Sequence, residues 1–312
     1  TQPFYGSFDG SYANFNIYIN TNATYQGLFG YFGKGTIQNL YVSGSVKGSQ
    51  YVGGVVGYKL SGTIQNVYNL AEITGTTEVG GIVGRNQAGL VQTSFNHASI
   101  KASMSYAGGI AGYVYTGTVT DTYNRGEILS PSYAGGIVGG SMLYSSSQYQ
   151  VSHTNSITNS YSAGLVSANS SPGGVIGYDN PARYSTSGAN PRTNLYYDVS
   201  ILLSYSAPYS KIPATTVGGQ GLNKTSMFED QMSTRGFSPS TWSFRPIDGN
   251  YAYYPQLQVF ATSPNPSVVS NSLQSVITNP FLGDGTKLSP YIINTARDMV
   301  ILSNSITDSF DA

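Results

Sequence analysis

The side chains that could do acid–base chemistry are few and scattered along this chain. Cleavage of polysaccharides needs paired Asp or Glu residues, and the candidates before residue 180 are Asp9, Glu72, Glu78, Asp121, Glu127 and Asp179. Only Glu72 and Glu127 occupy equivalent positions of a repeat, with Ser99 between them. Two strand spacings would put these carboxylates about 9.6 Å apart, near the upper limit for inverting glycosidases. Outward charges on a solvated surface give the same pattern, so we predict no catalytic residues and no enzyme.

The side chains of metal sites and of activated nucleophiles are also scarce. The chain has no cysteine and two histidines, His97 and His153. This composition excludes a thiolate zinc site and a Cys nucleophile, and it argues against a metal cluster built on histidine. We expect both histidines at the surface. EF-hand, P-loop and Gly-x-Ser-x-Gly motifs do not occur, so we predict no cofactor and no metal.

The charge balance narrows the range of partners. The 312 residues carry 14 Lys plus Arg and 14 Asp plus Glu, so the formal net charge is zero. Charged residues make up 9% of the chain, against about 25% in typical soluble domains. A neutral chain has no general attraction for a phosphate backbone, so we predict no nucleic-acid partner. No run of 18 apolar residues occurs, so we predict no membrane insertion.

A repeat of about 27 residues organises the first two thirds of the chain. Its first string contains a double glycine and recurs as VGGVVG at 52–57, VGGIVG at 79–84, AGGIAG at 107–112, AGGIVG at 134–139 and PGGVIG at 172–177, with a weaker QGLFG at 26–30. A second string follows in phase as GTIQNLY at 35–41, GTIQNVY at 62–68, GLVQTSF at 89–95, GTVTDTY at 117–123 and NSITNSY at 155–161. One insertion, near 141–153, shifts both strings together, as a loop inserted at one corner would.

Each repeat contains three short β-branched runs bounded by Gly, Asn, Ser or Thr, which indicates strands rather than helices. A unit of this length cannot bury its own core, but stacked units can. We therefore predict an all-β parallel β-helix (β-solenoid) of about six coils, with small capping segments and one short helix near the C-terminus. A β-sandwich explains the strict phase less well. Glycine is expected at coil corners, where positive φ or close backbone approach favours it.

The repeat also predicts columns of equivalent side chains. Two interior aliphatic columns are expected, at Ile37, Ile64, Val91, Val119 and Ile157, and at Val55, Ile82, Ile110, Ile137 and Val175. A structural aromatic column is expected at Tyr41, Tyr68, Phe95, Tyr123 and Tyr161, with Tyr196 as a sixth member. Asn69, Asn96 and Asn124 fall in register and indicate an asparagine ladder at a turn.

A further tyrosine column offers a binding function. Exposed tyrosines on a flat sheet can stack on sugar rings, and the candidates for glycan stacking follow the double-glycine strings at Tyr31, Tyr58, Tyr113 and Tyr178. Arg85 and Gly140 interrupt this column. Packing of the tyrosines against one another is the alternative, and the sequence does not decide between the two.

The strings at 51–73 and 78–100 resemble the GLUG repeat of large bacterial surface proteins. The resemblance covers about 26–178 as repeats. It extends to PFYGSFDGSYANFNIYIN at 3–20, which is similar to a lead-in coil, and to 224–257, which is similar to a closing segment with a short Met-containing helix. It implies a right-handed β-helix in an exported adhesin or cell-surface protein, and no single activity. The third and fourth copies depart from the repeat by carrying Thr93 and Asp121 where Asn is usual.

These observations divide the chain into five predicted regions: a lead-in coil (1–25), β-helix repeats (26–198), a C-terminal cap (199–262), a linker (263–280) and a patterned segment (281–312). The last segment, with a helix expected over 295–305, resembles the start of a module. It would begin the next module of a tandem array or cap a neighbouring copy head to tail. We therefore expect a non-enzymatic structural module of an extracellular surface or filament protein, whose partners are copies of itself or adjacent modules. A carbohydrate-binding adhesin domain is the alternative, and a polysaccharide lyase or hydrolase ranks third.

Overall fold

The structure is a computed structural model. It describes residues 2–142, 155–180, 191–199, 202–204, 219–227, 229–244, 251–261 and 275–277. The chain forms two compact units. The first comprises Thr1–Asp198 and Leu202–Gly221, and the second comprises Val199–Ile201 and Leu222–Ala312.

The first unit is a parallel β-solenoid of about seven turns, which confirms the predicted fold class. Its 21 strands belong to one sheet, because each coil pairs in parallel with the coils before and after it. The first two strands are long and turn the corners of their coils without a break: β1 (Phe4–Asn20) and β2 (Phe29–Lys47). β2 pairs with β1 on one side and with three separate strands of the next coil on the other.

The later strands fall into three columns, defined by which strands pair. The column after the double glycines contains β4 (Val56–Lys59), β7 (Val83–Asn86), β10 (Ala111–Val114), β14 (Val138–Met142) and β18 (Ile176–Asn180). The column of the second string contains β5 (Thr63–Asn69), β8 (Leu90–Asn96), β11 (Thr118–Asn124), β15 (Ser156–Ser162) and β19 (Arg192–Asp198), and β21 (Gln220–Leu222) pairs with β19. The third contains β3 (Gln50–Gly53), β6 (Glu72–Gly80), β9 (Ile100–Gly108), β12 (Ile128–Ser130), β13 (Tyr133–Gly135), β16 (Val166–Ala168), β17 (Ser171–Gly173) and β20 (Leu202–Ser204).

The interior of the coils is filled by the two aliphatic columns that the repeat predicts. Ile37 pairs with Ile64, Ile64 with Val91, and the register continues through Val119 to Ile157 across the insertion. All ten members of the two columns are buried in one continuous core. Removal of this apolar surface from water is the main force that joins one coil to the next.

A residue with a β-carbon, most often asparagine, has left-handed backbone in each second-string strand. Asn39, Asn66, Thr93, Asp121, Asn159 and Asn194 all have left-handed backbone, with φ between 44° and 55°. Glycine supplies positive φ at a nearby corner, as expected, at Gly62 and Gly89 (φ 81° and 82°), whereas the sequence did not predict the left-handed backbone of these six residues. Asn and Asp tolerate this conformation better than other residues with a β-carbon, so Asp121 does take the place of the turn asparagine.

The second glycine of each double-glycine string is needed for close approach instead. A β-carbon on Gly81 would lie 2.2 Å from the carbonyl oxygen of Gly109 and 2.7 Å from Oδ1 of Asn96. The equivalent β-carbon on Gly54 would lie 2.5 Å from the carbonyl oxygen of Gly81 and 2.4 Å from Oδ1 of Asn69. The glycine column therefore makes room for the asparagine column, which explains why the two strings stay in phase.

The first coil differs from the rest at its corner. β1 carries extra residues between Asp9 and Ala13, where Ser11 and Tyr12 have φ of 50° and 60°. The Asp9 carboxylate accepts hydrogen bonds from Gln38 Nε2 (2.8 Å) and Asn39 Nδ2 (3.1 Å). These bonds lower the pKa of Asp9, with the backbone N–H of Ser11 contributing most. An ionised carboxylate accepts hydrogen bonds but donates none. The rows of side-chain amides that run through Gln38 and Asn39 therefore end at Asp9.

The second unit contains short elements around a small set of buried side chains. Its helices are a 3₁₀ turn (Lys224–Met227), α1 (Glu229–Ser233) and α2 (Gln258–Ala261). Its strands pair antiparallel, β22 (Trp242–Ser243) with β24 (Gln256–Leu257) and β23 (Tyr251–Tyr253) with β25 (Ser275–Ile277). Trp242 is buried, with its ring edge-on to Phe237 at 4.6 Å.

Several predictions lie outside the described residues. These are the helix over 295–305, the role of 281–312, the position of His153 and almost all of the predicted linker. In the part of the chain that the structure describes, no helix has the length and apolar character needed to cross a membrane.

Candidate functional site

The five rings of the predicted aromatic column form one continuous stack, here called the inner aromatic stack: Tyr41, Tyr68, Phe95, Tyr123 and Tyr161. Successive ring centroids lie 4.6, 4.6, 4.7 and 5.2 Å apart, and the planes differ by 3° to 9°. All five rings are buried, and burial raises the pKa of the Tyr123 and Tyr161 hydroxyls. Tyr196 pairs with Tyr161 in the next coil. This arrangement joins coils and offers no ring face to a ligand.

The inner asparagine ladder, Asn69, Asn96 and Asn124, lies in the same strands and is also buried. Asn69 Nδ2 donates to Asn96 Oδ1, and Asn96 Nδ2 to Asn124 Oδ1, both at 2.8 Å. Each asparagine also bonds the backbone two residues further on, as Asn96 does with the N–H and C=O of Ala98. The side chains thus satisfy buried backbone groups at a turn, and the Asn96 amide donates two hydrogen bonds and accepts two.

The predicted glycan-stacking tyrosines at the N-terminal end belong to a wider group, here called the first tyrosine cluster: Tyr25, Tyr31, Tyr51 and Tyr58. Tyr31 stacks on Tyr58 at 4.9 Å, and Tyr25 stacks on Tyr51 at 5.2 Å. The two pairs meet edge to face, with Tyr58 5.4 Å from Tyr51. The rings are half-buried and cover one another's faces, so they do not form the open row of faces that sugar stacking would use.

The other two predicted tyrosines belong to a second tyrosine cluster: Tyr106, Tyr113, Tyr133 and Tyr178. Tyr113 is buried, at 5% exposure, so it does not present an exposed ring. Tyr106 stacks on Tyr133 at 5.1 Å and meets Tyr113 edge-on at 5.1 Å. A β-carbon on Gly140 would lie 2.5 Å from the Tyr106 ring, so the glycine that interrupts the column is the residue that lets this ring pack.

An ion pair between the half-buried Arg85 and the buried Glu78 contacts both clusters. Arg85 Nη1 lies 3.2 Å from Oε1 of Glu78, and Nε donates to Gln87 Oε1 at 3.0 Å. The Arg85 guanidinium also lies 5.7 Å from the ring centre of Tyr51 and 5.3 Å from that of Tyr113. Burial raises the pKa of Glu78 to about 7, although Arg85 opposes this shift. The Arg85 side chain therefore contacts a ring of each cluster.

The remaining sequence candidates include two carboxylates at equivalent repeat positions and one histidine. Glu72 is exposed and Glu127 is half-buried. His97 does not lie free at the surface as expected, because it is half-buried with its ring 4.5 Å from Phe95 and 5.6 Å from Tyr123. Across the described residues, no three His, Cys, Asp or Glu side chains are grouped so as to hold a metal ion.

Two polar groups of the coil interior were missed by the sequence reasoning. Lys59 is fully buried beside Asn86. Arg192 takes the position of the Ile157 column in β19, where its Nε lies 2.8 Å from Oδ2 of Asp179. The amino-acid composition gives no indication that either side chain is shielded from solvent. Only the register, which places a charged residue in an otherwise aliphatic column, could have indicated Arg192.

Comparisons with known proteins support the fold but no specific activity. No family model and no curated protein matches the chain. The crystal structure of a "putative immunoglobulin A1 protease" from Bacteroides ovatus is similar, with a TM-score of 0.53 and 19% sequence identity. The match covers 80% of this chain and 76% of that one. At this identity the likeness defines the class of protein as a β-solenoid, and the GLUG resemblance stays a prediction.

Proposed function

We propose that this chain is a non-enzymatic structural module, a rigid spacer, of an extracellular surface protein. The observation that carries the proposal is the set of side-chain columns that run from coil to coil. The inner aromatic stack, the inner asparagine ladder and both tyrosine clusters use their ring faces and amide groups on neighbouring coils. Side chains used in this way resist separation of the coils and leave little functional chemistry at the surface.

A second ladder of side-chain amides supports the same proposal. In the outer glutamine ladder, Gln92 Nε2 donates to Gln65, and Gln65 Nε2 donates to Gln38, each at 2.8 Å. Uncharged amides can repeat at every coil without the repulsion that stacked like charges would cause. The low charge of the chain is thus explained by a long stacked structure, and export is the setting that the sequence resemblance implies.

Single-molecule stretching tests the mechanical role. With the whole chain tethered through its two ends, we expect the solenoid to unfold in discrete steps that each release about one coil of chain. Asn96→Ala should lower the force of these steps, whereas Gln65→Ala, in the half-buried outer ladder, should change it little. Extension without discrete steps would contradict a load-bearing spacer, and release of products from a panel of polysaccharides or immunoglobulin would contradict a non-enzymatic module.

End-to-end assembly is a narrower form of this proposal. The long strand β1 pairs only with β2 among the described residues, which leaves its other edge without a strand partner in that part of the chain. The irregularity near Ser11 and the acceptor-only Asp9 both discourage an identical coil from pairing there. We therefore favour a spacer whose neighbouring modules belong to the same polypeptide over a fibre that is assembled from separate molecules. Light scattering across a concentration series distinguishes them, since a fibre subunit would grow in mass with concentration.

Carbohydrate contact is the second candidate, and a residue outside the predicted column favours it. Tyr5 is 66% exposed. A β-carbon on Gly33 would lie 2.4 to 2.8 Å from three atoms of the Tyr5 ring, so the ring rests against the Gly33 backbone. An aromatic ring fixed in this way with much of its surface in water suits a sugar ring. A glycan array probed with the native chain and with Tyr5→Ala tests it, and equal signals for both proteins would reject Tyr5 as the contact.

A further inference from the structure

A lysine and an asparagine from neighbouring coils meet inside the solenoid. Lys59 ends β4 and Asn86 ends β7, and the two residues are direct partners in the parallel register. Lys59 Nζ lies 3.1 Å from Asn86 Oδ1, and both residues have 0% exposure. The amine also donates to the backbone carbonyl of Ala88, while Asn86 Nδ2 donates to the carbonyl of Thr118 at 3.3 Å.

Two glycines make the space that this pair occupies. A β-carbon on Gly89, where φ is 82°, would lie 2.7 Å from Lys59 Nζ. A β-carbon on Gly117 would lie 2.3 Å from Asn86 Nδ2. The amine and the amide are therefore enclosed by backbone on adjacent coils and held in contact.

The lysine lacks the partner that a buried ammonium normally needs. No carboxylate lies within ion-pair distance of Lys59 among the described residues, whose two ion pairs involve Arg85 and Arg192. A buried charge without a counter-ion is costly, so the neutral amine is favoured. Burial accordingly lowers the pKa of Lys59 to about 7. The neutral amine has a free electron pair and is a nucleophile.

We propose that Lys59 and Asn86 react with each other to form an isopeptide bond that joins two neighbouring coils covalently. The electron pair of Nζ attacks Cγ of Asn86, and a bond forms between Nζ and Cγ. The bond between Cγ and Nδ2 breaks, a proton passes from Nζ to Nδ2, and ammonia leaves. The carbonyl oxygen is restored, nothing is oxidised or reduced, and no other reactant is consumed.

Proximity is the main contribution to the rate. The structure brings no carboxyl group to the pair among the described residues, so the bond is expected to form slowly after folding rather than during it. Two groups fixed in contact still react far faster than the same groups in solution, because the entropy of bringing them together has been lost on folding. The bond would stop these two coils from separating under load, but its formation does not depend on the proposed spacer function.

Intact-mass spectrometry of the native chain, aged at mildly alkaline pH until its mass is constant, tests the proposal. We expect the mass to fall by that of one ammonia molecule, and a tryptic digest to contain one branched peptide that joins Lys59 to Asn86. Loss of ammonia can also come from a succinimide at another asparagine, so Lys59→Met is the matched control and must keep its full mass. A constant mass without the branched peptide overturns the proposal, as does an equal loss of ammonia in the control.

A measurement on the native sequence guards against a control variant that does not fold. The aged chain is unfolded in denaturant and every free lysine amine is methylated with formaldehyde and a borohydride. Lys59 should stay unmodified while the exposed Lys34 and Lys47 are modified completely. Complete modification of Lys59 would show that its amine is free and would overturn the proposal.

Discussion

Replacing Asn96 by alanine tests whether the inner asparagine ladder holds the coils together. Asn96 is fully buried and takes part in four hydrogen bonds, to Asn69, to Asn124 and twice to the backbone of Ala98, at 2.8 to 3.3 Å. In Asn96→Ala the side-chain amides of Asn69 and Asn124 keep their second partners, Ala71 and Gly126. The N–H and C=O of Ala98 lose the partner that Asn96 supplied.

The expected loss in the free energy of unfolding follows from these contacts. A net value of about 1 kcal/mol for each hydrogen bond, with a further penalty for buried groups left without a partner, gives about 3–5 kcal/mol. Gln65→Ala is the matched control, because Gln65 also bridges two coils by two amide hydrogen bonds of 2.8 Å but is half-buried. Water can replace its partners, so we expect a loss of about 1 kcal/mol or less.

Urea unfolding followed by far-ultraviolet circular dichroism measures both variants. The midpoint of Asn96→Ala should fall well below that of Gln65→Ala, with similar slopes if the solenoid unfolds as one unit. Asn96→Asp offers a second comparison, because it keeps the shape and the acceptor but adds a buried charge and loses two donors. Equal midpoints for Asn96→Ala and Gln65→Ala would refute the reasoning, since burial would then not decide the strength of a ladder.

Three further predictions concern single positions of the coil. Thr93→Asn should raise the free energy of unfolding by about 1 kcal/mol in urea titrations. A φ of 44° strains a β-branched residue, and an asparagine could extend the side-chain amide contact that Asn66 makes with Asn39. An unchanged free energy of unfolding would contradict this. Gly81→Ala should lower the free energy of unfolding by about 3 kcal/mol, because the new β-carbon would lie 2.2 Å from the carbonyl oxygen of Gly109. Unchanged stability would show that the two coils can move apart to make room for it. Because burial raises the pKa of Glu78 from 4.5 to about 7, its protonated form favours the folded state below pH 4.5, and that stability is lost as the pH rises through 7. Native protein should thus lose roughly 1–3 kcal/mol over this range relative to Glu78→Gln in melts at several pH values, and parallel pH profiles would contradict the assignment.

The fold could be predicted from the sequence because a repeat multiplies weak local signals. One run such as Ile64-Gln65-Asn66-Val67 does not separate a strand from a loop, but five equivalent runs in phase leave few arrangements in which all can bury their aliphatic residues. The same argument placed the aliphatic columns and the aromatic column, since parallel coils without a change of register must bring equivalent residues together. It did not extend to the left-handed positions, because asparagine was expected only to satisfy a turn and the backbone conformation of Asn66 and its equivalents was not predicted.

The sequence by itself determined the coil, its period, its core columns and the absence of cysteine chemistry. Only the tertiary structure decided what the tyrosines do, because stacking and edge contacts depend on side-chain directions that a spacing does not specify. It likewise showed that Gly81 stays in phase with Asn96 because their atoms touch across the coil. Lys59 looked like any surface lysine in the sequence. Its burial beside Asn86 follows from where the chain turns into the next coil, and contacts between residues distant in sequence fix that turn.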